Sequence, residues 1–227
     1  MIRQIGLALT LMVIAAPALA QEFCFCLRCT IGTHRSFSPE TEAMSPTVPR
    51  GLCTVSERIF PGAADPQPGD VILYTHQTQG RIEMARVVAL PGQTVQMIGG
   101  LLHIDATPVT IAPLPPFTIQ RRADATGALP TCPAETPDTA PTCDIPQNLE
   151  TLPNGASYPI LNLTEGHRFD DTPLFTVPED HVFTLGDHRD LARDSRVSLS
   201  RGGPGFIGLH LILGTLETPV PYQTAPE

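Results

Sequence analysis

The run from Val182 to Arg196 constrains this chain more than any other stretch. It opens with Val182-Phe183-Thr184-Leu185, a short apolar segment rich in β-branched and aromatic types, and such a segment reads as a buried strand. It runs on as Gly186-Asp187-His188-Arg189-Asp190-Leu191-Ala192-Arg193-Asp194-Ser195-Arg196. A lone cluster of acids and arginines is usually a solvated turn. Here a strand, a Gly-Asp turn and an Asp-Ser-Arg ending come together. That combination predicts a loop braced by charge-assisted, two-pronged hydrogen bonds.

The rest of the chain is punctuated in the same manner. Pro68-Gly69-Asp70 precedes the apolar run Val71 to Tyr74. Arg86 to Leu90 reads as a strand that stops at the turn Pro91-Gly92. Gly99-Gly100 between two apolar runs predicts a hairpin, as does Pro153-Asn154-Gly155 further on. With 25 prolines, 18 glycines and no tryptophan, the chain reads as all-β and turn-rich. Its 227 residues suffice for one sizeable domain, or a domain with a large insertion. A net charge of −9 argues against nucleic acid or an anionic membrane surface as the main partner. All 14 basic residues are arginines, so lysine chemistry is excluded outright.

Residues 1–20 read as a secretory signal. Arg3 supplies the basic end, Ile5 to Ala16 the apolar segment, and Ala18-Leu19-Ala20 the small residues of a cleavage site. The apolar run is short for a membrane span, which needs about 20 residues. Cleavage is therefore preferred to an uncleaved anchor at the inner membrane, and on either reading the body faces an oxidising compartment, periplasmic or secreted. The six cysteines then read as disulfides. Cys132 and Cys143 flank a Pro/Thr-rich segment and are expected to pair. Cys24, Cys26, Cys29 and Cys53 remain. Their spacing would also suit zinc or copper, but disulfides are preferred, and neither metal nor cofactor is expected.

Four stretches, in order, resemble the signature segments of bacterial signal peptidase I. Phe37 to Val48 is similar to the segment that carries the family's nucleophile. Pro68 to Tyr74 and Arg86 to Asp105 are similar to the next two. Gly186 to Arg196 resembles the last, with His188, Leu191 and Ala192 as departures. Glu150 to Tyr158 resembles a strand of proteobacterial members, in which a second, non-catalytic β domain is inserted, and Gly205 to Gly214 resembles the closing strand. The resemblance implies a fold of antiparallel sheets, or a partly open barrel, over residues 37–217. It implies an insertion at about 106–180, after a cysteine-bearing extension at 21–36 and before a tail at 218–227. Read by themselves, residues 37–48 are an extended stretch pinned by Pro39 and Pro46. His103 on the hairpin reads as structural.

The family uses a serine nucleophile, a lysine base and a serine hydroxyl that orients the lysine. The resemblance places these roles at Ala43, Ala85 and Ala192. Alanine can neither attack, accept a proton, nor hydrogen-bond through its side chain. Thr41 falls where the family has an oxyanion donor. Met44 and Pro46 fall beside the groove that takes an extended peptide. Asp187, Arg189, Asp190, Asp194 and Arg196 are expected to be structural. The expectation is a protein without the Ser/Lys dyad that binds extended segments of exported proteins, or a secretion or assembly partner. The alternatives are an active endopeptidase with a relocated site, Ser45 with His188 or His76, and a disulfide- or metal-linked module built on residues 24–53.

Overall fold

The structure, a computed structural model, describes residues 27–59, 63–123 and 127–216. The proposed signal at 1–20, the tail at 218–227 and the cysteines Cys24 and Cys26 lie outside the described residues. A four-residue helix, Leu27–Thr30, leads into a chain whose regular structure is otherwise strand, apart from single 3₁₀ turns at Leu199–Arg201 and Leu209–Leu211. The strands are β1 (His34–Phe37), β2 (Thr54–Arg58), β3 (Val71–Thr75), β4 (Ile82–Ala89), β5 (Thr94–Ile98), β6 (Leu101–Ile104) and β7 (Thr107–Pro108). They continue as β8 (Thr110–Gln120), β9 (Thr142–Thr151), β10 (Ser157–Leu161), β11 (Phe175–Thr176), β12 (His181–Leu185), β13 (Ile207–Gly208) and β14 (Ile212–Leu216). The fold is all-β, as expected. No helix among the described residues is long and apolar enough to cross a membrane.

These strands form a seven-stranded sheet in the order β1-β2-β14-β3-β4-β12-β13, a four-stranded sheet β11-β5-β6-β7, and a three-stranded sheet β10-β9-β8. Every pairing between named strands is antiparallel. β3 shows why the large sheet holds. Its alternate residues Ile72 and Tyr74 pack in one apolar cluster with Ala85, Val87, Val182, Ile207 and Ile212. Val71 and Leu73 pack on the other face with Met44, Val48 and Met84. Both faces of the strand are covered, so its sequence is continuously apolar rather than alternating. A third cluster, including Val88, Met97, Leu102, Ile160 and Phe183, joins this sheet to the smaller ones. The Gly99-Gly100 turn joins β5 to β6 with φ values of 53° and 78°, the conformation a tight hairpin needs and glycine supplies without cost.

Two expectations need correction. Residues 106–180 are rich in proline, a composition that by itself reads as irregular, yet they include the long pair β8 and β9. The prolines are tolerated because β8 is an edge strand. The pairing shifts register between Leu114 and Phe117, at Pro115 and Pro116, where missing N–H groups cost the ladder nothing. The segment around Ala43 was expected to be extended, but it is a run of turns. Ser45 N–H bonds the Glu42 carbonyl at 3.0 Å and Val48 N–H the Met44 carbonyl at 2.8 Å. Met44 and Val48, four apart, both go into the core, and that burial outweighs the extended bias of the prolines.

Candidate active-site groove

The large sheet, the turns after β1 and the loop after β12 enclose a groove of about 490 Å³. Phe37 to Thr41 and Ala43-Met44 form one wall. Arg81 to Ala85 form a second, and Gly186 with Leu191 to Asp194 form a third. Ala43, Ala85 and Ala192 all line it, although they lie on three separate parts of the chain. Backbone contact holds them. Gly186 sits so close that a Cβ on it would lie 2.2 Å from the Ala192 Cβ and 2.6 Å from the Ala43 carbonyl oxygen. His188 N–H donates to that carbonyl at 3.0 Å, and Ala192 N–H to the His188 carbonyl at 3.0 Å. Ala85 is buried opposite Ile72 in the β3–β4 ladder. The groove lining therefore carries alanine at all three positions where the resemblance places nucleophile, base and orienting hydroxyl.

The other sequence-picked positions divide. Thr41 is exposed and lines the groove; its Oγ1 accepts the Ala43 N–H at 3.4 Å. Met44 lines the groove although nearly fully buried, whereas Pro46 does not line it. Ser45 is buried and does not line the groove either. Both ring nitrogens of His188 and the Nε2 of His76 have no hydrogen-bond partner, so neither histidine is hydrogen-bonded through these atoms to Ser45. His76 Nδ1 instead takes the Thr78 N–H at 3.3 Å. Burial holds the His188 ring at a pKa of about 4, against a smaller opposing pull from Asp190. Cys132 and Cys143 are bonded, with Cα atoms 5.8 Å apart, within the usual range. Cys29 and Cys53 are disulfide-bonded as well and offer no thiolate to a metal. His103 bonds the Leu101 carbonyl through Nδ1 at 3.0 Å, a local structural contact.

The loop is braced, but mostly by partners outside it. Asp194 and Arg196 pair within the loop, at 2.8 Å for both prongs, and Asp194 also takes the Gly186 N–H at 3.0 Å. Asp187 instead pairs with Arg86 on β4, and Arg189 with Glu150 on β9 at 2.6 Å. Asp190 caps the Leu163 and Thr164 N–H groups at 2.8 and 2.9 Å. Arg86 also bonds the Gly69 carbonyl at 2.7 Å and the Thr47 hydroxyl, which itself donates to Asp187. Its Cζ lies over the Tyr158 ring, 4.0 Å from the centroid. Tyr158 in turn donates to Glu150 at 2.6 Å. Burial lowers the Arg86 pKa, and the charge and hydrogen bonds of Asp187 more than restore it, so it ends above its ordinary value. Sequence reading passed over Arg86, Thr47, Glu150 and Tyr158. An arginine at the head of the apolar run Val87-Val88-Ala89 was the available signal, because a charge in a buried strand demands a partner.

A family model described as "Signal peptidase, peptidase S26" matches residues 4–221. The chain belongs to that family. Curated relatives include signal peptidase I of Rickettsia akari, 29% identical over 63% of this chain and 48% of its own length. Signal peptidase I of Rickettsia typhi is 27% identical over 70% of this chain and 53% of its own. The chain spans about half the length of these relatives. Among solved structures, a signal peptidase I from Enterococcus faecalis aligns at 22% identity with a TM-score of 0.35, covering 67% of this chain and 97% of that one.

Proposed function

We propose that this protein is a pseudo-peptidase of the signal peptidase family, which holds an extended peptide in its groove without cutting it. The observation that carries this reading is that Ala43, Ala85 and Ala192 line one groove, in a chain without lysine. A serine is a weak nucleophile until a base takes its proton, and the positions at which the family keeps its serine and its lysine, 43 and 85, are both alanine here. The binding half of the function needs only backbone groups and small pockets. Its means are present. The β12 ladder reaches only as far as Arg86, so Ile82 to Ala85 run along the groove with an edge that β12 does not pair. A peptide strand laid there would extend the sheet, with its side chains toward Phe37, Met44 and Leu191. The peptide would come from an exported protein or a secretion or assembly partner, on the periplasmic side of the membrane or beyond it.

The test pairs binding with turnover. A fluorescent signal-peptide substrate is titrated with purified protein, first for anisotropy and then for cleavage over hours. Saturable binding without cleavage, weakened by Leu191→Arg in the groove wall, supports the proposal. Cleavage by the unmodified protein that disappears with Ser45→Ala would overturn it in favour of a relocated nucleophile.

A further inference from the structure

The segment from Asn162 to Asp171 leaves β10 and folds back over the loop after β12, where it brings three ligating side chains together. His167, Asp170 and Asp190 each offer one donor atom, and the three atoms lie within 4.8 Å of one another. Asp190 anchors the group. Its Oδ2 takes the Leu163 and Thr164 N–H groups, with the Thr164 hydroxyl at 3.5 Å. Its Oδ1 is buried with no hydrogen-bond partner, on a side chain only 5% exposed. That free oxygen faces His167 Nδ1, 3.5 Å away, which is likewise buried and without a hydrogen bond. Asp170 closes the third side; it is buried, and its Oδ2 accepts the His167 N–H at 2.7 Å.

A direct N–H···O bond would bring the two atoms to about 2.7–3.2 Å in line. At 3.5 Å without that alignment, two buried polar atoms are left bare, which folded proteins rarely tolerate. A cation between them satisfies both. Donors about 2.1 Å from a tetrahedral ion lie about 3.4 Å from each other, close to the observed separation. One imidazole with two carboxylates, completed by water, suits zinc and its first-row neighbours better than calcium or magnesium, which take oxygen alone. We propose that His167, Asp170 and Asp190 bind one divalent cation of the zinc class. The ion would staple the Asn162–Asp171 segment to the loop that carries Ala192, and so fix one wall of the groove from behind.

The full chain, oxidised and without an affinity tag, is stripped with chelator and titrated with Zn²⁺ by calorimetry, with melting curves alongside. The expected result is one ion per chain at low-micromolar affinity or tighter, with a rise in Tm on saturation. Millimolar Mg²⁺ should not compete. His167→Ala and Asp190→Asn should each weaken binding by at least the about 10–100-fold that changes around metal sites cost. Asp190→Asn keeps an oxygen for the Leu163 and Thr164 amides, so its loss of binding is not a loss of fold. Absence of saturable binding would sink the proposal, as would binding that both variants leave intact. So would a protein whose Tm falls with His167→Ala yet ignores zinc, because His167 and Asp190 would then be a simple ion pair.

Discussion

Arg86 and Asp187, 101 residues apart in sequence, meet in a buried two-pronged ion pair, Nε to Oδ1 at 2.7 Å and Nη2 to Oδ2 at 2.5 Å. Their side chains are 5% and 1% exposed. Arg86 follows Ala85 in β4, and Asp187 follows Gly186, which touches Ala43 and Ala192. The pair therefore pins the strand that bears one wall of the groove to the loop that bears another. Breaking a buried pair from one side strands a charge in a low dielectric. Arg86→Met is expected to cost about 3–5 kcal/mol in urea unfolding. Arg86→Met with Asp187→Leu should cost less than the two single changes summed. A single change under about 1 kcal/mol would show that water reaches the site.

The purified protein should not cleave a signal-peptide substrate, and serine-directed acylating reagents should leave no adduct by mass spectrometry. Ala43→Ser alone should change neither result, because a serine without a base stays protonated. Ala43→Ser with Ala85→Lys is expected to give slow turnover. Position 85 is only 3% exposed, so desolvation would push a lysine toward the neutral form that can act as base. The rate should stay low, because Ala192 cannot orient the amine. Turnover by Ala43→Ser equal to that of the double variant would refute this account of the base.

His188 makes stability depend on pH. Its ring is 1% exposed, and its folded pKa of about 4 lies below the ordinary 6.5. The unfolded chain therefore takes up a proton at a higher pH than the folded one. The contribution is fully present above about pH 6.5 and is lost as pH falls toward 4, a loss of about 3 kcal/mol at most. Unfolding free energy measured with chelator present should fall across this window. His188→Asn, which cannot titrate, should flatten the slope whatever its effect at neutral pH. An unchanged slope would mean that the ring is hydrated in the folded state.

The Cys132–Cys143 bond closes a short loop, with a separation of 11 residues. Loop-closure entropy sets its contribution at about 3 kcal/mol. Cys132→Ser with Cys143→Ser should lower the midpoint of urea unfolding accordingly, and protease should cut first between β8 and β9. Groove binding should survive, because neither cysteine lines the groove. Loss of peptide binding in this variant would tie the loop to the groove.

Much of this protein was legible in its sequence, because turn chemistry and strand periodicity are local. Gly99-Gly100 read as a hairpin turn, Val71 to Tyr74 as a buried strand after its Pro-Gly-Asp turn, and the absence of lysine removed one base from consideration. The resemblance to signal peptidase I placed Ala43 and Ala192 within signature segments and Ala85 at the head of another. Other features were decided by tertiary structure. The turns around Ala43 formed because Met44 and Val48 both had a core to enter. The long β8 was possible because its prolines fell on an edge. Asp187 and Arg189 bonded not to their loop neighbours but to Arg86 and Glu150, since a buried charge takes whichever opposite charge the packing brings to it. Sequence spacing states which charges lie near one another along the chain; only the folded sheets decide which of them lose water together and must therefore pair.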